Sequence, residues 1–354
     1  MNVAPVRMAD TAARHARVAP AVEAAVLGVL RSGRYVGGPV VDEARRRLAE
    51  SFGWRHGVTT NSGTDALVYA LLATGVGPGD EVIVPAVTFF ATAGAVARVG
   101  AVPVVADVRD DLPLLDAATL PLTSRTRAVI VVHLYGEPCP VVAPVPVIDD
   151  LAQCAGATPA PKHGHLGAVS FYPTKTLGAA GDAGLVLTDD EATAAALLQL
   201  THHGMTHLYE HVRVRGAVGA NSRMDAIQAA VLLAHLDDLP TRVATRRDNA
   251  AHYDATLPAW VRRLPRHPSH PVHHYVVRVP HRDAVRARLS AAGVETAVYY
   301  PVPLSRQPAL AGGPHAPTPR AEAFCAETLA LPVHEGVGPA EVERVVAALG
   351  STAP

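Results

Sequence analysis

The sequence predicts an α/β fold, in which helices cover both faces of a mostly parallel sheet and a smaller α+β region follows. Strand and helix patterns alternate over the first two thirds of the chain, which is typical of such sheets. The segment AVIVVH (residues 128–133) is an almost continuous apolar run, as expected of a strand buried on both faces. After Gly204 longer helical patterns take over.

The first two thirds of the chain predict short elements in close succession. Apolar residues recur at helical spacing over residues 21–30, 41–52, 64–73 and 91–99. Strands are predicted near Val58 and over residues 81–84, 102–106, 128–132, 145–148, 168–172 and 184–188.

The last third of the chain predicts a second, compact region. We expect helices over residues 222–236 and 242–256, separated by Pro240, because an internal proline removes a hydrogen bond and clashes with the preceding turn. Next come a strand over 275–279, a helix over 282–291, a strand near Val298 and helices over 320–329 and 339–349. This pattern predicts a large domain, residues 1–240, and a small C-terminal domain, residues 241–354.

Composition predicts a cytoplasmic globular protein. The 354 residues are 49% hydrophobic and 18% charged, with a net charge of −1, so we expect a buried core and no general attraction to nucleic acid or membrane. Membrane-spanning runs and a signal-peptide layout are not apparent. Three widely spaced cysteines, Cys139, Cys154 and Cys325, indicate a reducing compartment and neither a disulfide framework nor a metal site.

The two lysines differ in their surroundings. The chain has 29 arginines but only Lys162 and Lys175 as lysines, and a guanidinium cannot replace a primary amine as a nucleophile. Lys162 lies in a polar segment, PAPKHGHLG, where a solvated charge is expected. Lys175 lies in SFYPTKTLGAAGD, after an apolar strand and between turn residues. We therefore expect Lys175 to carry the chemistry.

Two further segments offer polar groups at element ends. NSGTDAL (residues 61–67) precedes a helix, so backbone N–H groups and the Thr64 hydroxyl can bind an anion; a plain helix cap is the alternative. Asp149 and Asp150 end a predicted strand, where ligands bind in α/β proteins. A buried carboxylate there needs a cation, such as a protonated pyridine nitrogen. Alternatively one of the two, more readily Asp149, caps the next helix.

Three more side chains complete a candidate site. Lys175 can form an imine with an aldehyde, and Ser170 in SFYPTK can add a hydroxyl to a phosphate site. Phe89 in VPAVTFFAT follows a strand and can lie against a flat ring, although core packing is the common use of such a residue.

The ordered motifs resemble a known family. GRYVGGP, NSGTDAL, GDEVIVPAVTFFAT, VHLYGEP, IDDLAQCAGA, SFYPTKTLGAAGDAG and NSRMDAIQAA closely resemble segments of the DegT/DnrJ/StrS sugar aminotransferases, from about Arg31 to beyond Leu331. The resemblance implies pyridoxal 5'-phosphate as cofactor and the aspartate-aminotransferase-like fold, fold type I. It also implies a mostly parallel seven-stranded sheet in the large domain, and a homodimer with active sites at the subunit interface.

Residue roles follow from the same resemblance. It implies that Lys175 holds the cofactor aldehyde and later moves a proton, and that Asp150 keeps the pyridine nitrogen protonated so that the ring acts as an electron sink. It further implies that Gln153 contacts the phenolic oxygen and Phe89 stacks on the ring. The residues implied for the phosphate are Gly63, Thr64, Ser170 and, from the partner subunit, Asn221.

The chain departs from the family pattern at three places. DDLAQ stands where EDAAQ is usual, and Thr176 stands where the family has an asparagine after the lysine; neither change removes a reactive atom. Ser305, in VYYPVPLSRQPAL, stands where family members often have a histidine. This segment is expected to lie towards the substrate, so the resemblance does not identify the substrate. Lys175 itself argues against the dehydratase members, which lack that lysine.

Other motifs carry weaker signals. His267, His270, His273 and His274 alternate with prolines and lack the spacing typical of metal ligands, so an irregular loop is expected. GVGPGD (residues 75–80) precedes a strand, which disfavours a dinucleotide site.

The function implied is transamination in two halves, from an amino acid, expected to be glutamate, to a nucleotide-activated keto sugar. YYPVPL with Gln307 slightly favours the C3 ketone. A keto-cyclitol aminotransferase of an aminoglycoside pathway and a non-catalytic regulator on the same fold are the alternatives. Retention of Lys175, Asp150, Gln153 and Ser170 favours an enzyme, and catalysis favours a lowered lysine pKa.

Overall fold

The computed structural model describes residues 4–353. Its α-helices are α1 (Thr11–Ser32), α2 (Pro39–Ser51), α3 (Gly63–Ala73), α4 (Ala91–Arg98), α5 (Glu191–Leu200), α6 (Ala226–Thr256), α7 (Arg282–Ala291), α8 (Pro319–Glu327) and α9 (Pro339–Leu349). Within residues 4–353, none of these helices combines the length and apolar character needed to span a membrane.

The strands of the central sheet are β1 (His56–Thr60), β2 (Glu81–Pro85), β3 (Val102–Ala106), β4 (Thr126–Val132), β5 (Val147–Asp150), β6 (Leu166–Ser170) and β7 (Gly184–Thr188). The later strands are β8 (Met205–His207), β9 (Glu210–His211), β10 (Arg213–Val214), β11 (Ala217–Val218), β12 (Arg262–Arg263), β13 (Tyr275–Arg278) and β14 (Thr328–Leu331).

The seven-stranded sheet has the order β1-β7-β6-β5-β4-β2-β3. The strands from β6 to β3 run parallel, and β7 runs antiparallel to both β1 and β6. All strands except β7 therefore point the same way and end at one edge of the sheet. The predicted mostly parallel seven-stranded sheet is confirmed.

Helices cover both faces of this sheet. In β7, Val186 belongs to the core that contains α3 and α4, whereas its neighbours Leu185 and Leu187 belong to the core that contains α2 and the first half of α6. Because successive strand residues face opposite sides of a sheet, the two cores lie on opposite faces.

Helix α6 corrects the prediction of two helices separated at Pro240. It runs unbroken from Ala226 to Thr256 with Pro240 inside, and it begins four residues later than predicted. An internal proline costs about 3 kcal/mol. Burial on both sides offsets this cost, since Leu239 packs in the sheet core and Tyr253 in the C-terminal core. The predicted boundary at 240/241 falls within this helix, and the division into two domains stays a prediction.

The C-terminal region is α+β, as predicted. Strands β12, β13 and β14 form an antiparallel sheet, against which α7 and α9 pack. The predicted strand near Val298 is wrong, because only an isolated bridge between Ala297 and Ala330 forms there. The end of the predicted helix over 320–329 instead begins β14, which pairs with β13.

Candidate active site

A cavity of about 570 Å³ lies at the edge where the parallel strands end. Its walls include Phe89 after β2, His133 after β4, Asp150 at the end of β5 and Ser170 at the end of β6. This edge is where open α/β sheets bind ligands, and the volume suits a small-molecule site.

Seven of the eight predicted site residues line this cavity: Gly63, Thr64, Phe89, Asp150, Gln153, Ser170 and Lys175. The eighth, Asn221, is exposed and is absent from the cavity wall. The prediction that Asn221 begins a helix is wrong, because Asn221 pairs with His202 in an isolated bridge. Asp225 caps α6 instead. Ser305 and Gln307 also lie outside the wall.

Lys175 lies in the tight turn that follows β6. Its backbone N–H donates to the carbonyl of Tyr172 (2.8 Å), and the neighbouring Thr176 hydroxyl lies 2.9 Å from Nδ1 of His273. Burial lowers the pKa of the Lys175 amine, while Asp150 opposes that shift. The site thus favours a neutral amine more than water does.

Asp150 is a buried carboxyl group that faces the cavity. Its Oδ1 accepts from the backbone N–H of Ala152 (3.1 Å) and its Oδ2 from the Thr92 hydroxyl (3.4 Å). Burial raises the pKa of Asp150, and Lys175 partly opposes this shift. A cation placed beside Asp150 in the cavity therefore stabilises its carboxylate form.

Asp149 has a structural role, although it holds a loop and does not cap a helix. It is fully buried and accepts from the backbone N–H groups of His163 (2.9 Å) and Gly164 (2.7 Å). Nδ1 of His133 accepts from the backbone N–H of Cys139 (3.0 Å), so Nε2 carries the proton and donates to Asp149 (3.1 Å). Burial alone would raise the pKa of Asp149, but these hydrogen bonds lower it.

Capping and anion binding are compatible at the start of α3. Ser62 is the cap, since its hydroxyl accepts from the backbone N–H of Asp65 (3.1 Å). The Thr64 hydroxyl has no hydrogen-bond partner within residues 4–353 and lines the cavity. Ser170 approaches the same turn so closely that only glycine fits at position 63. The turn can therefore offer N–H and hydroxyl donors to an anion.

Gln153 and Phe89 form two further walls. The side-chain oxygen of Gln153 accepts from the backbone N–H of Tyr135, and its amide nitrogen has no partner in the described chain. Phe89 is 60% exposed, so the core-packing alternative is wrong for this residue. Its ring lies 6.2 Å from that of Tyr300.

Sequence reasoning missed several cavity residues. His273 and His274, interpreted as part of a biased loop, line the cavity with Tyr299 and Tyr300. The ring of His274 stacks on Tyr299 at 4.1 Å, and burial lowers the pKa of both histidines. Their position just before the strand Tyr275–Arg278 was the available signal. In residues 4–353 no group of His, Cys, Asp or Glu is arranged to hold a metal ion.

A mostly parallel seven-stranded sheet with Lys175 and Asp150 in a cavity at its edge is the arrangement of a fold type I aminotransferase that depends on pyridoxal 5'-phosphate, and solved structures that match the chain hold a ketimine intermediate or the cofactor PMP. The chain matches the model of the DegT/DnrJ/EryC1/StrS aminotransferase family over residues 18–350. It belongs to that family.

Relatives and a solved structure match nearly the whole chain. The UDP-2-acetamido-2-deoxy-3-oxo-D-glucuronate aminotransferase of Pseudomonas aeruginosa is 38% identical, over 96% of this chain and 98% of its own. A protein of Geobacillus stearothermophilus named pleiotropic regulatory protein is 37% identical, over 93% of each chain. The structure of S. venezuelae DesV in complex with a ketimine intermediate has a TM-score of 0.90 at 35% identity, covering 98% of each chain.

Proposed function

We propose that the enzyme moves an amino group from L-glutamate to the C3 ketone of a nucleotide-activated sugar. The observation that carries the proposal is the meeting of Lys175 and Asp150 in one cavity with the donor-rich turn at Gly63. The name of the Pseudomonas aeruginosa relative, a 3-oxo sugar aminotransferase, supports the sugar and the C3 position. The amino donor is inferred from the family resemblance.

The cavity residues fit pyridoxal phosphate. When bound, this cofactor supplies an aldehyde that condenses with amines and a ring that withdraws electrons from the bond that breaks. We assign Lys175 to the aldehyde and Asp150 to the pyridine nitrogen, since a protonated ring nitrogen is the cation that this buried carboxylate needs. The free amide group of Gln153 is a donor suited to the phenolic oxygen, and Phe89 is exposed to lie against the ring.

The part of the cavity wall at the start of α3 suits the phosphate group. Gly63 begins α3, whose first N–H groups and positive dipole end favour an anion. The hydroxyls of Thr64 and Ser170 add two donors beside it. Neither hydroxyl is needed to cap the helix, because Ser62 does so.

Lys175 also moves the proton in this proposal. Burial lowers the pKa of its amine, so more of it is neutral near pH 7 than of an exposed lysine. A neutral amine can take a proton from the substrate carbon and return it to a neighbouring carbon. An arginine at this position could not do so, because its guanidinium stays protonated.

We infer that the enzyme is a homodimer and that Asn221 serves the partner's phosphate site. The inference is supported by the exposure of Asn221 outside its own cavity and by exposed apolar side chains such as Tyr172, Phe90 and Tyr35. Three buried free cysteines are compatible with the reducing conditions of the cytoplasm, where we place the enzyme.

The test is direct transamination. Purified protein is incubated with glutamate and, in separate assays, with UDP-linked or dTDP-linked 3-keto sugars and with a keto-cyclitol, and the products are followed by mass spectrometry. We expect 2-oxoglutarate and a 3-amino sugar in equal amounts. A coloured enzyme that aminates only keto-cyclitols would overturn the sugar assignment, and a colourless protein without transaminase activity would support a regulator.

A further inference from the structure

Arg14, on α1, reaches the turn that carries Lys175. Its Nη1 donates to the backbone carbonyls of Pro173 (2.8 Å) and Lys175 (2.9 Å). Its Nε donates to Oε1 of Glu335 (2.8 Å). The side chain is 5% exposed, so one buried guanidinium joins α1, the turn at Lys175 and the segment before α9.

Glu335 holds Arg14 in this orientation. Its other carboxylate oxygen accepts from Nη2 (2.7 Å) and Nε (3.1 Å) of Arg246. Burial alone would raise the pKa of Glu335, but Arg246 and Arg14 lower it below its ordinary value. Glu335 therefore stays ionised, and it fixes both guanidinium groups in place.

The turn at Lys175 packs closely against Arg14. A Cβ on Gly178 would lie 2.4 Å from the carbonyl oxygen of Pro173 and 2.9 Å from Nη1 of Arg14. On the far side, Thr176 is 2.9 Å from His273, whose carbonyl accepts from Nη1 of Arg246 (3.2 Å). The backbone on both sides of Lys175 is thus tied to the same arginine–glutamate cluster.

We propose that Arg14 is a positioning residue, which holds the backbone of Lys175 so that its amine meets the reacting atoms. The inference rests on the proposed role of Lys175. Displacement of a catalytic group by about 1 Å can cost on the order of 100-fold in rate, so a residue that fixes the Lys175 backbone sets the rate without touching the substrate. Arg14 also borders the cavity. Its alternative role would be to bind the carboxylate of the amino donor, and kinetic measurements separate the two roles.

The experiment compares Arg14→Gln and Arg14→Lys with the control Arg17→Gln in the holoenzyme. Arg17 lies one turn along α1 and pairs with Asp238 (3.2 Å) near the surface, with 37% of its side chain exposed. Each variant is assayed for both half-reactions, for the pH midpoint of the visible absorbance of the cofactor bound to Lys175, and for Tm.

We expect Arg14→Gln to slow both half-reactions by a similar factor, on the order of 10- to 100-fold, with KM little changed and a displaced pH midpoint. Arg14→Lys keeps the charge but cannot contact Glu335 and both carbonyls at once, so it should recover part of the loss. If Arg14→Gln does not fold, Arg14→Lys alone tests the proposal, because its two half-reactions should still slow by a similar, smaller factor. Arg17→Gln should match the wild type.

Two results would overturn the proposal. A lowered Tm with normal rates and an unchanged midpoint would make Arg14 merely structural. A defect confined to KM for glutamate would make it a donor-binding residue. Failure of the proposed function is distinguishable, because it would be seen in the wild type itself, which would then lack the bound cofactor or one of the two half-reactions, whereas failure of the proposal leaves the wild type active.

Discussion

A Cβ added to Gly63 would lie 2.5 Å from the Cβ of Ser170. Contacts this short do not occur between real Cβ atoms, so any side chain at position 63 must push the start of α3 away from the end of β6. Both residues line the end of the cavity assigned to the phosphate group.

Gly63→Ala is therefore expected to weaken cofactor binding, raising the Kd for pyridoxal phosphate by on the order of tenfold or more as N–H donors move out of place. Titration of the apoenzyme by fluorescence or absorbance measures this constant. The control is Gly77→Ala, since a Cβ there meets nothing within 4 Å. If both variants bind pyridoxal phosphate with the same Kd, the start of α3 does not form the phosphate site.

The two neighbouring aspartates should respond differently to amidation. Asp150→Asn should leave a folded protein that binds the cofactor, but transamination should fall by on the order of 100-fold or more, because a neutral amide no longer keeps the ring nitrogen protonated. The rate of each half-reaction and the visible spectrum measure the effect.

Asp149→Asn is the matched comparison. The carboxylate of Asp149 uses both oxygens to accept from His133, His163 and Gly164, and an amide has only one oxygen. The substitution should therefore lower the free energy of unfolding by about 2–3 kcal/mol, with a smaller effect on the rate of transamination. Denaturant unfolding measures this cost. If Asp149→Asn slows transamination more than Asp150→Asn does, the assignment of the two carboxylates is reversed.

Buried His270 should make the protein less stable in mild acid. Burial lowers the pKa of His270 to about 3, and its Nδ1 accepts from the backbone N–H of Val272 (2.8 Å). The unfolded chain protonates near pH 6.5 and the folded chain does not. The neutral ring therefore stabilises the fold fully above pH 6.5, and this contribution falls by about 1.4 kcal/mol per pH unit between pH 6.5 and 3.

The measurement is the free energy of unfolding from pH 7 to 5 for the wild type and His270→Asn, whose side-chain oxygen can still accept from Val272. In the variant, the slope of the unfolding free energy against pH should be smaller by up to about 1.4 kcal/mol per pH unit, which corresponds to the uptake of one proton. An identical slope in the two proteins would show that His270 does not contribute.

Shared active sites predict recovery of activity from two inactive variants. Lys175→Ala and Asn221→Ala subunits are mixed and allowed to exchange. In a mixed dimer one site receives both defects and the other neither, so activity should return to about a quarter of the wild-type level after random exchange. With exchange demonstrated and each variant folded and inactive alone, continued inactivity would mean that each chain builds its own site.

Sequence patterns predicted those features that depend on neighbouring residues. Strands 102–106 and 184–188 were predicted with the bounds that the structure has, because apolar runs between turn residues mark buried strands. Motifs at element ends predicted the cavity residues Thr64, Phe89, Asp150, Ser170 and Lys175, and the family resemblance added Gly63 and Gln153.

Features that depend on distant contacts were missed. Pro240 remains inside α6 because two separate cores bury the helix on either side of it, which no local pattern shows. Arg14 reaches carbonyl groups about 160 residues away along the chain, and one arginine among 29 carries no signal for such a contact. The approach of His273 and His274 to Lys175 has the same long-range origin.

The covalent attachment of the cofactor to Lys175 can be tested by borohydride reduction of the yellow holoenzyme, followed by peptide mapping with mass spectrometry. Only two lysines exist in the chain, and Lys162 is held in an ion pair with Asp189 (2.5 Å) beside Trp54, away from the cavity wall. We expect the reduced cofactor on the Lys175 peptide, and no activity in Lys175→Arg. Label on Lys162, or on neither peptide, would contradict the assignment of Lys175 as the residue that holds the cofactor.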